Sequence, residues 1–125
     1  MLNLTGSANI TVTINGVTLT FPVITILGYY SWTRFNGASP NSIYIQHGSD
    51  LQAGSYDIDL SGKSVSYLDG NGNDCYTPTS GTLKLDVERL AFRTAFKHTG
   101  KLVNVTFGDQ QPVVVLNGDY VVEYK

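Results

Sequence analysis

At 125 residues the chain has the size of one domain, and it is long enough to bury a core without disulfides or metals to hold it. Only 14% of its residues are charged, against roughly 25% in ordinary proteins, while 42% are hydrophobic and the net charge is −2. Eight scattered Lys and Arg exclude the basic track of a nucleic-acid binder, the single Cys75 excludes an internal disulfide, and no apolar run approaches the ~18 residues of a membrane span.

The hydrophobic period is two almost throughout, which predicts strands. Ile10, Val12 and Ile14 alternate with Thr11 and Thr13, and Asn15-Gly16 then precedes a second run over 17–21. Asn-Gly between alternating runs predicts a two-residue hairpin turn, because both central residues of a type I′ turn need φ > 0. Residues 23–27 and 29–35 read as strands with a bulge or kink at Gly28, and 36–41 as a loop. A short strand is expected over 43–46. Residues 56–60 carry apolar Tyr56, Ile58 and Leu60 on one face and Asp57 and Asp59 on the other. Residues 65–67 lead into a Gly/Asn-rich loop tip at 69–74.

In the C-terminal half, Leu83, Leu85 and Val87 alternate with charged residues. Residues 87–96 fit helical spacing poorly and read as a turn followed by a strand, with Phe92 and Phe96 on one face and Arg93, Ala95 and Lys97 on the other. Thr99-Gly100 reads as a turn, and Val103, Val105 and Phe107 as the next apolar face. Runs over 113–116 and 119–124 flank Asn117-Gly118, which fits either a second hairpin turn or a bulge in one long strand. About ten short strands at a spacing of 8–12 residues predict an all-β antiparallel sandwich, with a closed barrel as the alternative. No repeat, linker or shift of composition divides it, so residues 1–125 are expected to form a single domain.

Several of these segments also resemble a known family. The run Ala53-Gly-Ser-Tyr-Asp-Ile, then Val65-Ser-Tyr, an Asp/Asn/Gly loop, Ser80-Gly-Thr-Leu-Lys-Leu, Ala95-Phe96 and the final Leu116-Asn-Gly-Asp-Tyr-Val-Val-Glu-Tyr124 resembles small β-sandwich domains of unknown function from surface lipoproteins of Bacteroidetes-type bacteria. The resemblance spans residues 50–124. It implies a β-sandwich and an extracytoplasmic or cell-surface location, with no assigned chemistry to carry over. The start of the chain lacks the basic and apolar regions of a signal peptide, so none is expected in it.

The candidate residues for chemistry are few. Cys75 with His47 or His98 would make a nucleophile–base pair only if the fold joined them, and each His is expected as a polar tip near a strand end. Asp57 and Asp59, two apart on a strand, share one face, as a carboxylate pair for glycoside hydrolysis would need, but alternation marks that face as solvated. Asp69, Asn71 and Asn73 begin like a calcium loop, yet its sixth and twelfth positions hold Asp74 and Ser80 instead of Gly and Glu, so no metal is expected. The aromatic residues remain. Tyr30 and Trp32 are expected on one strand face with Tyr44 on a nearby strand, and flat rings beside polar Asn36, Asn41 and Gln46 suit a sugar.

The expected function is therefore a non-enzymatic binding or accessory domain without cofactors, with Tyr30, Trp32 and Tyr44 as its ligand face and carbohydrate or protein as partner. The first alternative is a structural assembly subunit, a homo-oligomer joined through β-edges and in particular through the hairpin over 10–21. The second is a small hydrolase using Asp57 and Asp59.

Overall fold

The computed structural model describes residues 2–48, 51–89 and 94–124. Within them run twelve strands and no helix. They are β1 (Leu2–Asn3), β2 (Thr5–Ile14), β3 (Val17–Thr20), β4 (Thr25–Tyr29), β5 (Trp32–Asn36), β6 (Ser42–Gln46), β7 (Gly54–Asp59), β8 (Val65–Leu68), β9 (Asp74–Tyr76), β10 (Ser80–Arg89), β11 (Phe96–Phe107) and β12 (Val114–Tyr124). Two six-stranded sheets result, in the orders β1-β4-β5-β6-β8-β9 and β3-β2-β12-β11-β10-β7, and every pairing among the described residues is antiparallel. The sheets do not close into a barrel, so the fold is the expected sandwich.

Alternation builds the core. Phe35, Ile43 and Ile45 point inward from the first sheet and Ile10, Leu83, Leu85, Leu102 and Leu116 from the second, all of them at most 1% exposed. Burial of such side chains contributes ~1.5–3 kcal/mol each. The turn at Asn15-Gly16 has φ of 53° and 78°, as the hairpin reading requires, and joins β2 to β3.

Four readings need correction. Thr99-Gly100 is not a turn, for β11 runs straight through it. Gly100 lies opposite Tyr120 of β12, and the Tyr120 ring occupies the space a side chain at 100 would fill. Of the two readings of Asn117-Gly118, the hairpin turn fails and the single long strand holds, since β12 runs from Val114 to Tyr124. The irregularity lies opposite, in β11, where the register slips between Leu102 and Val105 against β12 and between Val103 and Thr106 against β10. Asn104 takes the left-handed conformation there, at φ 49°, and its backbone N–H donates to Asn117 Oδ1 at 2.7 Å. This bulge moves the apolar face onto Leu102, Val105 and Phe107 and leaves Val103 half-buried.

Third, Gly28 is not a kink. It lies within β4, where the Leu4 side chain and the Trp32 carbonyl leave no room for a Cβ. The reversal comes two residues later, at Tyr30-Ser31, between the paired Tyr29 and Trp32. Fourth, the loop at 69–74 is shorter than expected, since Asp74 opens β9 against β8. Leu90, Phe92 and Arg93, part of the turn-then-strand reading of 87–96, lie outside the described residues.

Tyr120 is the largest side chain in the interior. It is 1% exposed, packs edge-on against Phe35 of the opposite sheet at 5.1 Å between ring centroids, and its hydroxyl has no hydrogen-bond partner among the described residues. Two outcomes follow for denaturant unfolding. Gly100→Ala pushes a methyl into the Tyr120 ring and is expected to cost ~1–3 kcal/mol. Tyr120→Phe removes an unpartnered buried hydroxyl and is expected to leave stability equal or higher. A clear loss in Tyr120→Phe would mean that the hydroxyl is satisfied.

Candidate functional site

The outward face of the first sheet carries the aromatic side chains that point to solvent. In β5 the inward residues are Thr33 and Phe35, so Trp32, Arg34 and Asn36 face out; in β6 the inward Ile43 and Ile45 leave Tyr44 and Gln46 outward. Register then lines these up across the strands. Leu27, Arg34, Tyr44, Ser66 and Tyr76 form one straight row over β4, β5, β6, β8 and β9, and Tyr29, Trp32 and Gln46 form the next. Trp32 and Tyr44 are diagonal neighbours, and their rings meet at 5.7 Å between centroids with 37° between planes. Both are half-buried, while Tyr29 is 40% and Tyr76 60% exposed.

The polar atoms of this face are not used up by the fold. Among the described residues the side chains of Trp32, Arg34, Tyr44, Gln46, Ser66 and Tyr76 make no hydrogen bond or ion pair. A flat apolar area with open donors and acceptors at its margin is what a ring of hydroxyl-bearing carbons needs from a protein surface.

Trp32 and Tyr44 thus come together as expected, and Tyr30 does not join them. Because the chain reverses at Tyr30-Ser31, Tyr30 continues the inward side of β4, after buried Ile26 and Gly28, while Trp32 opens β5 on the outward side, and Tyr30 fills the end of the sandwich, where it is 8% exposed. Its ring packs edge-on against Phe96 at 5.1 Å, the Arg89 guanidinium sits 4.0 Å from its centre, and its hydroxyl donates to the Thr94 carbonyl at 3.0 Å. Tyr30 is a clamp between the sheets, apart from the Trp32–Tyr44 pair. Asn36 is also partly committed, donating from Nδ2 to Thr25 Oγ1.

The same end of the sandwich buries both histidines, contrary to their reading as polar tips. His47 follows β6 with its backbone N–H bonded to the Ser31 carbonyl, and His98 lies within β11. They are 5% and 1% exposed, and their rings meet nearly at right angles at 5.2 Å, joining the two sheets. Burial first, then the neighbouring His47 and the Arg89 charge, push His98 down from 6.5 to about 4.

The other candidate groups stay apart. Cys75 lies in register with Tyr67 and Ile43, four residues along β6 from His47, which is roughly 13 Å of strand. Burial first, then Asp69 and Asp74, raise its thiol, so it is not an activated nucleophile. Asp57 and Asp59 are exposed on β7, an edge strand, and Asp57 pairs with Lys84 at 3.9 Å. The Ser61 backbone N–H and then its hydroxyl hold Asp59 below the ordinary carboxylate range, opposite to what a general acid requires. At Asp69, burial works to raise the carboxyl, but donors from Asn73, Asn71 and Gly72 together outweigh it and lower it. Asp69 closes its own turn in this way, and among the described residues no group of three or more His, Cys, Asp or Glu gathers for a metal. Ser49 and Asp50, which follow His47 in the chain, lie outside the described residues.

Compared with family models, curated proteins and solved structures, the chain matches none.

Two measurements check this arrangement. Acrylamide is expected to quench the native fluorescence of Trp32, the only tryptophan; protection from quenching would bury the proposed platform. His98 also makes stability depend on pH. Its native pKa lies below its unfolded value, so the unfolded chain binds more protons between about 4 and 6.5. The contribution is complete above pH 6.5 and falls as pH drops toward 4, by at most about 3 kcal/mol at ~1.4 kcal/mol per unit. A flat urea midpoint across that window would contradict the buried, neutral His98.

Proposed function

We propose that the protein is a non-enzymatic binding module whose outward aromatic face, centred on Trp32 and Tyr44, holds a glycan. The observation that carries this is the Trp32–Tyr44 ring pair at the surface, set among polar groups that bond to nothing else among the described residues. The candidate catalytic groups favour a binder as well, since Cys75, the histidines and the Asp57/Asp59 pair lie in different parts of the fold, the Cys75 thiol is pushed up, and Asp59 and His98 are pushed down. On this reading the module works outside the cytoplasm, as the resemblance of residues 50–124 to surface lipoprotein domains implies.

A second reading, assembly through a β-edge, draws support from β3. It is an edge strand bonded only to β2, all four of its residues are exposed, and Val17 and Leu19 are 59% and 67% exposed. Beside it runs an apolar groove of about 250 Å³ lined by Val12, Ile14, Phe21 and Tyr67 together with β3 itself. Arg34 is the first Asp, Glu, Lys or Arg in the chain, so this edge lacks the charges that usually protect an exposed strand. A second copy is the fitting partner, because a two-fold axis pairs β3 antiparallel with itself and sets no charge against its own image.

Titration with a panel of oligosaccharides, followed by Trp32 fluorescence, tests the first reading. A saturable change that Trp32→Ala and Tyr44→Ala abolish, with folding intact, is expected; no response across neutral and acidic sugars would refute it. Light scattering tests the second. A dimer of the 13.6 kDa chain that Leu19→Lys converts to monomer is expected, and a monomer at all concentrations would end it.

A further inference from the structure

The glycan reading leaves the class of sugar open, and Arg34 narrows it. This residue lies in the middle of the aromatic face, between Trp32 and Asn36 along β5 and directly opposite Tyr44 and Leu27 on the flanking strands. It is exposed, and it makes no ion pair, hydrogen bond or ring contact among the described residues. The ion pairs found there, Lys84 with Asp57 and Lys97 with Glu88, belong to the other sheet. The acid that shares this face among the described residues is Asp74, on β9, three strands from β5. At ~4.8 Å per strand that is at least roughly 14 Å, beyond the reach of an ion pair and beyond the Debye length at physiological salt.

An unneutralised guanidinium among open rings is unusual on a chain of net charge −2 with ten acidic residues to draw on. Its planar fork matches a carboxylate with two parallel hydrogen bonds, which a lysine cannot reproduce. Tyr44 and Trp32 supply the flat apolar surface beside it, and Gln46 and Ser66 supply polar groups on either side along the rows.

We infer that this face takes a pyranose that carries a carboxylate, with the sugar ring over Trp32 and Tyr44 and the carboxylate on Arg34. The inference rests on the binding-module reading and adds the sign of the ligand to it. Such a carboxylate occurs on uronic acid units within a polysaccharide and on a terminal sialic acid, and the two sources are separable by experiment.

The test is calorimetry with matched pairs: a galacturonic acid trisaccharide against its neutral galactose counterpart, and sialyllactose against lactose. In at least one pair the acidic member is expected to bind about tenfold or more tightly, the ratio that a charge-assisted bidentate contact supplies. The pair that responds identifies the source. Arg34→Gln is expected to erase the preference by weakening the acidic sugar far more than the neutral one, and raising NaCl to about 0.5 M is expected to weaken the acidic sugar more than the neutral one. Arg34→Lys, which keeps the charge but not the fork, is expected to recover part of the preference, which separates recognition from any loss of folding. Equal binding of acidic and neutral sugars, or a preference that survives Arg34→Gln, overturns the carboxylate inference and leaves the binding face standing. Silence from all four sugars, in heat and in Trp32 fluorescence, overturns both.

Discussion

The ring of Tyr120 sets the relation between the two sheets. It lies across Gly100 on the neighbouring strand, fills the space where that residue lacks a side chain, and reaches the Phe35 ring of the opposite layer. With Phe35 held inward, pleating leaves no choice for its neighbour, and Arg34 must face out. Trp32, two residues back, faces out with it. The antiparallel register to β6 then brings Tyr44 beside both. The outer aromatic face is in this sense the reverse side of an interior contact, and its side chains are positioned by strands rather than by mobile loops.

Where strands alternate and turns use the usual residues, the sequence is a good guide. Ile10, Val12 and Ile14 followed by Asn15-Gly16 encode a hairpin because the chemistry of that turn is local. The sandwich class follows from many such segments agreeing with one another. The reversal at Tyr30-Ser31 is illegible for the opposite reason. Tyr30 is not a turn former and Ser31 is only a weak one, neither has positive φ, and the nearby Gly28 offers a more tempting break. What fixes the turn is tertiary, because Tyr30 is drawn into the core by Phe96, Arg89 and the Thr94 carbonyl, all more than fifty residues away in the chain.

Gly100 misleads in the same manner, since a glycine kept for its neighbour's ring looks like a glycine kept for its backbone freedom. The slip at Val103-Asn104 likewise has no local mark beyond one asparagine, whose partner Asn117 lies on another strand. Of the aromatic residues read as a ligand face, Trp32 and Tyr44 are legible because they sit inside regular strands. Tyr30 is not, because its place depends on a turn no short window reveals. Arg34, absent from that reading, gains meaning only when register shows that no described acidic residue lies near it.

The order of the second sheet also bears on how the chain comes to be made. β2 is not an edge; it lies between β3 and β12, with Ile14 opposite Val114 and Thr5 opposite Glu123. Its hairpin with β3 can close at once, but an isolated two-stranded hairpin is marginal in water. The larger partner arrives only after about a hundred further residues, or roughly 5–20 s of synthesis at ribosomal rates. Throughout that interval the emerging chain holds out an apolar stretch with no Asp, Glu, Lys or Arg before Arg34. Closing so distant a ladder is slow, and an uncharged strand waiting for it is the segment through which nascent chains would stick to one another. The demand this topology makes is therefore temporal: β2 must stay without its larger partner until the last strand of the sheet has been made.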